Sequence, residues 1–223
     1  MTLIIGDIHG CYNELQALLD KAGIADDESI YAIGDILDRG PAPEAVLDFF
    51  LMHPHAHSIR GNHEQRHIRY AQGKGKPRLT QIITRWVLDE RYHDALDYMR
   101  QMPLMVELDE ARLIHGYYDP QVAPEDQRKN VLLGTKKGEK YIKKQLDVAW
   151  FSEYNEDKPL ICGHKDYSRM ERPFVLEGQV YGLDTRCVHG GMLTGLRLPQ
   201  WEIICVPSKK NYWKRIRKKY KRL

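Results

Sequence analysis

The segment YAIGDILDRG, from Tyr31 to Gly40, begins like a buried strand and ends in residues that favour turns. The aromatic and β-branched residues at its start suit a strand. Two glycines, two aspartates and an arginine then crowd the positions from Gly34 to Gly40. Glycine and aspartate are ordinary turn residues, so this segment acquires a meaning only from the rest of the chain.

Two other segments repeat the same design. IIGDIHGCY runs from Ile4 to Tyr12, and SIRGNHEQ runs from Ser58 to Gln65. Between the three segments, apolar residues recur at helical spacing, as with Leu15 and Leu18. This alternation of strand and helix predicts parallel strands with helices packed on the sheet.

Local signals predict where the first helices begin and end. Asn13 with Gln16 resembles an N-terminal cap, Gly23 suits a helix end, and Pro43 suits a first helical turn. A helical region is predicted from about Glu64 to Gln101, interrupted by the loop QGKGKPR, and its apolar positions at helical spacing are Ile82, Ile83, Trp86 and Val87.

The chain after Met105 is rich in short strands. Their sequences are MVEL, RLIH, LICGH, QVYGL, MLTGLRL and WEIICV. A strand-rich second half beside an alternating first half predicts an α/β fold in which two sheets form a β-sandwich flanked by helices. We expect one domain over residues 1–207 and a basic C-terminal tail over residues 208–223.

Composition narrows the class of protein. The 223 residues can bury a sizeable core, and the apolar and charged fractions are near those of soluble proteins. Apolar runs are shorter than a bilayer span, and the first residues do not resemble a leader peptide, so we expect a cytoplasmic protein. The four cysteines form no Cys-x-x-Cys pair, which favours reduced, buried thiols.

The positive charge is concentrated in the tail. Lys209 to Leu223 contains nine Lys or Arg and no acid, which leaves about −6 for residues 1–208 out of the formal net charge of +3. Trp213, Ile216 and Tyr220 stand at helical intervals among these cations. The tail suits RNA or an anionic membrane surface, and a solubilising extension is an equally good interpretation.

The three glycine-containing segments also carry metal-binding side chains. Asp7 and His9 are two positions apart after a strand, so they can aim at one point. Asp35 follows the next strand, and Asn62 follows the third. Any one of these residues alone is more often a turn former or a hydrogen-bonded histidine, but together they predict a divalent-metal site at the strand ends.

The motifs GDIHG, GDILDRG and GNHE resemble the signature of calcineurin-like metallophosphoesterases, specifically the phosphoprotein phosphatase branch, and the resemblance covers most of the chain. It implies the calcineurin-like fold and two later histidine ligands, found here in RLIHG and LICGH. The implied ligands are Asp7, His9 and Asp35 for one metal, and Asp35, Asn62, His115 and His164 for the other.

A two-metal site of this kind suits phosphate chemistry. Two divalent cations outweigh the anionic ligands Asp7 and Asp35, so the site attracts phosphate and acidifies a bridging water. The resulting hydroxide attacks phosphorus in line, with the metals about 3.5–4 Å apart. The resemblance favours manganese, with iron or zinc as alternatives.

The resemblance also implies the remaining catalytic groups. His63 would protonate the leaving oxygen while Asp38 holds the far nitrogen of its ring, and a carboxylate partner favours the imidazolium form. Arg39 and Arg60 would clamp the non-bridging phosphoryl oxygens.

The stretch YGLDTRCVHGGMLTGLRLP resembles the LDTGC and LTALRL region of diadenosine tetraphosphatases and their bacterial relatives. Arg186 stands where that group usually has glycine, and we expect it to bind substrate. GNHE, in contrast, is closer to the protein-phosphatase form. We therefore rank a dinucleoside polyphosphate or similar nucleotide first, a phosphoserine or phosphothreonine protein second, and a phosphorylated RNA end third.

Two further interpretations stay open. The lysines between Lys129 and Lys144 could receive a polyphosphate chain, or they could form a solvated helix face. The chain could also be a non-catalytic protein that binds RNA or another anion through its tail. Retention of His63, Asp38, Arg39 and Arg60 speaks against that last interpretation.

Overall fold

The structure, a computed structural model, describes residues 1–220 and contains two five-stranded sheets. Lys221, Arg222 and Leu223, which belong to the expected basic tail, lie outside the described residues. In spatial order the first sheet contains β10 (Glu202–Pro207), β9 (Met192–Leu198), β1 (Thr2–Ile5), β2 (Ser29–Ala32) and β3 (Ala56–Ser58). The strands β1, β2 and β3 are parallel, whereas β9 is antiparallel to both β1 and β10.

The second sheet has a similar mixed pattern. In spatial order it contains β4 (Met105–Glu107), β5 (Arg112–Ile114), β6 (Leu160–Cys162), β8 (Val180–Gly182) and β7 (Phe174–Leu176). The inner strands β5, β6 and β8 are parallel, and the two edge strands are antiparallel to their neighbours. The edge strand β7 was not predicted, because its three residues are only partly buried or exposed and give no buried alternation.

Alternation along the strands divides the core into layers. Leu3 and Ile5 face the helices, while Ile4 faces the other sheet. Likewise, Ile161 of β6 faces the first sheet, and Leu160 packs in the outer layer on the opposite face. Such alternation is expected when both faces of a strand are covered. The predicted α/β sandwich flanked by helices is confirmed.

Helices cover the outer faces of both sheets. On the first sheet lie α1 (Tyr12–Ala22), α2 (Pro43–Met52), α3 (Asn62–Ala71), α4 (Leu79–Leu88) and α5 (Tyr92–Gln101). On the second lie α6 (Lys129–Leu132) and α7 (Lys136–Gln145), and the last helix is α8 (Tyr212–Lys219). Within residues 1–220, every helix is too short or too polar to cross a bilayer.

Two of the three helix-boundary predictions are confirmed. Gly23 ends α1 with φ 58°, and Pro43 occupies the first turn of α2. The predicted cap by Asn13 is wrong, because Cys11 precedes the helix and Asn13 lies within its first turn. The positive φ values of His9 and Gly10 turn the chain directly before Cys11, so that the helix begins at Tyr12.

The buried face of helix α4 differs from the one that its apolar residues predict. Ile83 is buried, but Ile82 and Trp86 are 37% and 62% exposed. Instead, the buried face includes the polar residues Gln81 and Thr84. Both residues donate hydrogen bonds to the buried carboxylate of Asp38. Polar residues therefore occupy positions where periodicity alone predicts apolar ones.

The tail helix α8 packs against the domain. Tyr212 is buried, and its hydroxyl donates to Glu14 Oε1 of α1 at 2.7 Å. Trp213 and Ile216, the residues whose spacing suggested a binding face, are partly buried against the first outer core layer. Their spacing therefore reflects intramolecular packing.

Candidate active site

The structure brings the six predicted metal ligands together at one end of the two sheets. Each follows a strand or begins a helix, so the loops deliver them to a common edge. Asp7 and His9 follow β1, Asp35 follows β2, Asn62 begins α3, His115 follows β5 and His164 follows β6. Five of these residues are buried, and His164 is partly buried.

Asp35 lies at the centre of the cluster. Its Oδ2 is 3.8 Å from His9 Nε2, and its Oδ1 is 3.5 Å from His115 Nε2. Asp35 belongs both to a group with His9 and His63 and to a group with His115 and His164, each with ligand atoms within 4.8 Å of one another. This position suits a carboxylate that is shared by two neighbouring cations.

Carboxylates crowd the side of Asp35 that faces His9, because Asp7 also lies there. Asp7 Oδ2 lies 4.0 Å from His9 Nε2, and Asp7 Oδ1 accepts a hydrogen bond from the His164 backbone N–H at 3.0 Å. Burial raises the pKa of Asp7 well above its ordinary value, and the charges of Asp184 and Asp35 raise it further. A cation bound there would relieve this repulsion.

The side of Asp35 that faces His115 holds an amide and two imidazoles. Asn62 Nδ2 is 2.8 Å from His164 Nδ1 and 3.4 Å from His115 Nε2. The His115 Nδ1–H donates to the carbonyl of Ile33 at 2.8 Å, which leaves Nε2 facing the cluster with its lone pair. Burial, with a contribution from His115, lowers the pKa of His164 to about 3, so its ring is neutral, the form that binds metals.

One buried polar atom tests whether this cluster fits metal ions. Among the residues that the structure describes, Asn62 Oδ1 is a buried acceptor with no hydrogen-bond partner. An unpaired buried acceptor costs about 1–3 kcal/mol, and a cation at Asn62 Oδ1 would satisfy it. The mixture of carboxylate, amide and imidazole donors suits manganese, iron or zinc. The residues therefore fit a pair of divalent cations.

The backbone of the site is wound into uncommon conformations. Non-glycine residues with left-handed φ include His9 (49°), Asp35 (54°), Arg39 (77°) and His164 (68°). Such strain costs about 1–3 kcal/mol per residue and persists where the surroundings enforce it. Gly34 has φ 94°, and a Cβ there would approach His115 Nδ1 and Gly61 N at 2.8 Å, so only glycine fits.

Glu64 holds the Asp35 loop in place. Its Oε2 accepts hydrogen bonds from the N–H groups of Asp35 and Gly61, each at 2.9 Å, and its Oε1 accepts from Ile36 N–H at 3.0 Å. The glutamate of GNHE thus joins the second motif to the third. Glu64 was not among the predicted site residues, although a glutamate three positions after a helix cap is a recognisable signal.

His63 is held by the predicted partner. Its Nδ1 lies 2.5 Å from Asp38 Oδ2, and its Nε2 faces Asp35 Oδ2 at 3.7 Å. Burial lowers the pKa of His63, and it prevails over the opposing charges of Asp35 and Asp38. The inference that a carboxylate favours the imidazolium form is therefore opposed here by desolvation.

Asp38 is anchored by more groups than the sequence indicated. His67 Nε2 lies 2.9 Å from its Oδ1, Thr84 Oγ1 donates to Oδ1 at 2.6 Å, and Gln81 Nε2 donates to Oδ2. Burial alone would raise the pKa of Asp38, but His67 and His63 hold it well below its ordinary range. Asp38 is thus a fixed anion behind His63.

The predicted phosphate-binding arginines occupy different places. Arg39 Nη1 lies 3.1 Å from His9 Nε2, beside the predicted metal ligands. Arg60 Nη2 donates instead to the carbonyl of Arg100 at 2.7 Å, so the structure does not bring it to the same point.

Arg66 is a cation near the site that the sequence analysis missed. It follows Asn62 by one helical turn of α3, which places both on the same face. Burial lowers the pKa of Arg66, the charge of Asp35 opposes this, and Arg78 and Arg39 add to the lowering. Arg66 therefore lies within the electrostatic field of the central carboxylate and of other arginines.

A polar cavity of about 660 Å³ opens over these groups, and its lining includes His9, Arg39, His164, Lys165, Asp184 and Arg186. Asp184, which follows β8, was missed although it lies within the quoted LDTRC. Burial raises its pKa, and Asp35 adds to the effect. The exposed Arg186 stands beside it with φ 61°.

Comparison with known proteins agrees with this geometry. The calcineurin-like phosphoesterase family model matches residues 1–221. The relatives include a bis(5'-nucleosyl)-tetraphosphatase PrpE [asymmetrical] of Bacillus cereus, 30% identical, with 92% of this chain and 93% of that protein covered. A protein of the same name from Anoxybacillus flavithermus is also 30% identical, with 94% of this chain and 95% of that protein covered.

A solved structure extends the likeness to three dimensions. The crystal structure described as "a putative diadenosine tetraphosphatase" has a TM-score of 0.77 at 22% identity and covers 93% of both chains. At that identity the likeness concerns the fold. Together with the family match, it shows that the chain belongs to the calcineurin-like phosphoesterase family and is a hydrolase of phosphate esters or anhydrides.

Proposed function

We propose that the protein uses two divalent cations, preferably manganese, to hydrolyse a phosphoanhydride bond in a dinucleoside polyphosphate or similar nucleotide. The observation that carries the proposal is the position of Asp35, whose two oxygens face two separate groups of ligands. Cations bound there would supply an acidified water as the nucleophile and would neutralise phosphoryl charge. We assign this chemistry to residues 1–207.

The remaining residues bind the substrate and manage the proton. In the proposed mechanism, the imidazolium form of His63 donates a proton from Nε2 to the leaving oxygen. The charge of Asp38 favours that form against desolvation, and its contact with Nδ1 fixes the orientation of the ring. Arg39, which borders the polar cavity beside His9, contacts the phosphoryl oxygens. Its planar guanidinium can make two parallel hydrogen bonds to one phosphate.

The cations of the cavity support a polyphosphate substrate. Besides Arg39, the polar cavity is bordered by Lys165, Arg169 and Arg186, which exceeds what one phosphate monoester requires. Relatives at 30% identity carry the name asymmetrical tetraphosphatase. We therefore expect unequal cleavage of diadenosine tetraphosphate into ATP and AMP.

A substrate panel tests the proposal. Manganese-reconstituted protein is given diadenosine tetraphosphate or a phosphoserine peptide, and products are separated by anion-exchange chromatography. We expect ATP and AMP from the first and slow release of phosphate from the second. Rapid turnover of the peptide with an untouched dinucleotide would instead assign a phosphoprotein phosphatase. Chelation of the metal is expected to stop both reactions.

We expect Arg66, one helical turn after Asn62, to approach the phosphate chain of the substrate. Replacement of Arg66 by alanine should then lower kcat/KM for diadenosine tetraphosphate about 10- to 100-fold, because a charge-assisted contact to phosphate would be worth about 1.5–3 kcal/mol. Arg66→Lys should recover part of the loss. Arg69→Ala is the matched control, since Arg69 is an exposed arginine of the same helix. Steady-state kinetics decide the matter, and equal losses in Arg66→Ala and Arg69→Ala would exclude a specific role.

Replacement of Arg186 by glycine is expected to stabilise the fold and weaken substrate binding. A left-handed conformation costs a non-glycine residue about 1–2 kcal/mol, so the variant should melt about 2–8 °C higher. The KM for diadenosine tetraphosphate should rise, because a cavity cation is lost. Glu171→Gly is the control, since Glu171 also has a positive φ (54°) but is anionic. A lower melting temperature in Arg186→Gly would contradict the argument.

A further inference from the structure

A second cavity, here called the aromatic pocket, adjoins the polar cavity. Its volume is about 200 Å³, and its walls include Tyr117, Ile142, Val148, Trp150, Phe151 and Tyr167. The two cavities share the lining residues Lys165, Asp166 and Arg169. The aromatic pocket therefore begins where the polar cavity ends, along the segment that follows the metal ligand His164.

The aromatic pocket also approaches the metal ligands directly. The ring of Tyr117 packs edge-to-face on His164, with 5.5 Å between ring centroids. The neighbouring residue of Tyr117, Gly116, accepts a hydrogen bond from the Tyr167 hydroxyl at 3.0 Å. One aromatic ring thus separates this pocket from the candidate metal site.

The walls of the aromatic pocket are held by mutual packing. Trp150, Phe151 and Tyr167 contact one another edge-to-face, with centroid distances of 5.6–5.8 Å. Phe174 of β7 supports Phe151 at 4.7 Å. Rings fixed in this way present a preformed apolar surface, which suits a flat ligand.

Charges at the junction of the two cavities favour phosphate. Lys165 Nζ lies 3.5 Å from Glu139 Oε1, which also pairs with Lys143 Nζ at 2.9 Å, so this one carboxylate faces two cations. The Asp166 carboxylate accepts hydrogen bonds from Ser168 Oγ and the Glu171 backbone N–H within its own loop. Lys165 and Arg169 therefore give the junction a surplus of positive charge.

We propose that the aromatic pocket binds the nucleoside of a nucleotide substrate, with the phosphate chain passing Lys165 and Arg169 to the metal-binding residues. A base stacks on aromatic rings whatever its identity, so the pocket selects nucleotides as a class. This inference rests on the proposed function and names the part of the substrate that the metal site itself cannot recognise.

The first experiment blocks the aromatic pocket with a larger side chain at its exposed rim. Val148 lines the pocket and is 53% exposed, so Val148→Trp should block the pocket without disturbing the core. We expect KM for diadenosine tetraphosphate to rise about tenfold, the value of one lost stacking contact. Turnover of p-nitrophenyl phosphate, which has no nucleoside, should stay unchanged. The matched control is Val175→Trp, at an exposed valine (44%) of β7 outside the lining of both cavities.

The second experiment measures binding without catalysis. Isothermal titration calorimetry on metal-free protein compares ATP with inorganic tripolyphosphate, which carries the same phosphate chain. We expect ATP to bind about tenfold more tightly than tripolyphosphate to the unmodified protein and to Val175→Trp. In Val148→Trp the two ligands should bind equally.

The outcomes separate this inference from the proposed function. If Val148→Trp hydrolyses diadenosine tetraphosphate with an unchanged KM, the nucleoside site is wrong although the proposed function holds. Equal losses on both substrates would show structural damage and would also overturn the inference. If the unmodified protein does not cleave the dinucleotide, the proposed function fails, and the preference for ATP in calorimetry alone then decides whether the pocket binds nucleosides.

Discussion

Replacing Asp35 with asparagine is expected to lower kcat about a thousandfold or more with every substrate. Asp35 faces His9 through one oxygen and His115 through the other, so both proposed metal positions lose a charged ligand at once. A cation pair contributes several kcal/mol to transition-state stabilisation, and each 1.36 kcal/mol is a factor of ten in rate. The loss should therefore be independent of the leaving group.

Metal content gives the second measurement for Asp35→Asn. We expect the purified variant to hold fewer than two manganese ions per chain by elemental analysis, while its circular dichroism spectrum stays native. Asp109→Asn, at an exposed carboxylate far along the chain, is the control and should retain metal and activity. Full activity in Asp35→Asn would remove the basis of the two-metal proposal.

Replacing His63 with asparagine is expected to slow the reaction in a way that depends on the leaving group. General acid catalysis contributes about 10²–10⁴-fold when the leaving oxygen needs a proton. Diadenosine tetraphosphate or an alkyl phosphate should lose most of this factor. A p-nitrophenolate leaving group is stable as an anion, so its turnover should fall far less.

Two comparisons distinguish proton transfer by His63 from a structural effect. The metal content of His63→Asn should equal that of the unmodified protein, since His63 is not among the proposed ligands. His93→Asn, at an exposed histidine of α5, should leave both substrates unaffected. A uniform loss over all leaving groups would instead indicate that His63 positions the substrate or its neighbours.

The central residues of the site could be predicted from the sequence because they directly follow strands. Asp7, Asp35 and His115 each follow an apolar strand, and parallel strands bring their carboxyl ends to one edge. Periodicity likewise predicted the two sheets and most helices. These features depend on local patterns, so they can be read without knowing the fold.

Groups brought in by tertiary packing were not predictable in the same way. Thr84 binds Asp38 across 46 positions of the chain, and no local pattern links the two. The exposure of Trp86 was also unpredictable, because the inner face of α4 is occupied by residues that hydrogen-bond the buried carboxylate of Asp38. Asp184 lies beside Asp7 only because β8 ends at the same edge. Arg60 was predicted at the site from its position in the motif, but that position does not reveal that its side chain binds the carbonyl of Arg100 instead.

The position of β1 has a consequence for how the chain matures in the cell. The strand β1 lies between β2 and β9, with Thr2 opposite Leu198, so its hydrogen bonds on one side are made by residues that are synthesised much later. During translation, Ile4 and its neighbours lack their hydrogen-bond partners on this side until residues 192–198 leave the ribosome. The nascent chain must therefore carry an exposed strand edge until those residues emerge, a period in which chaperones can bind it.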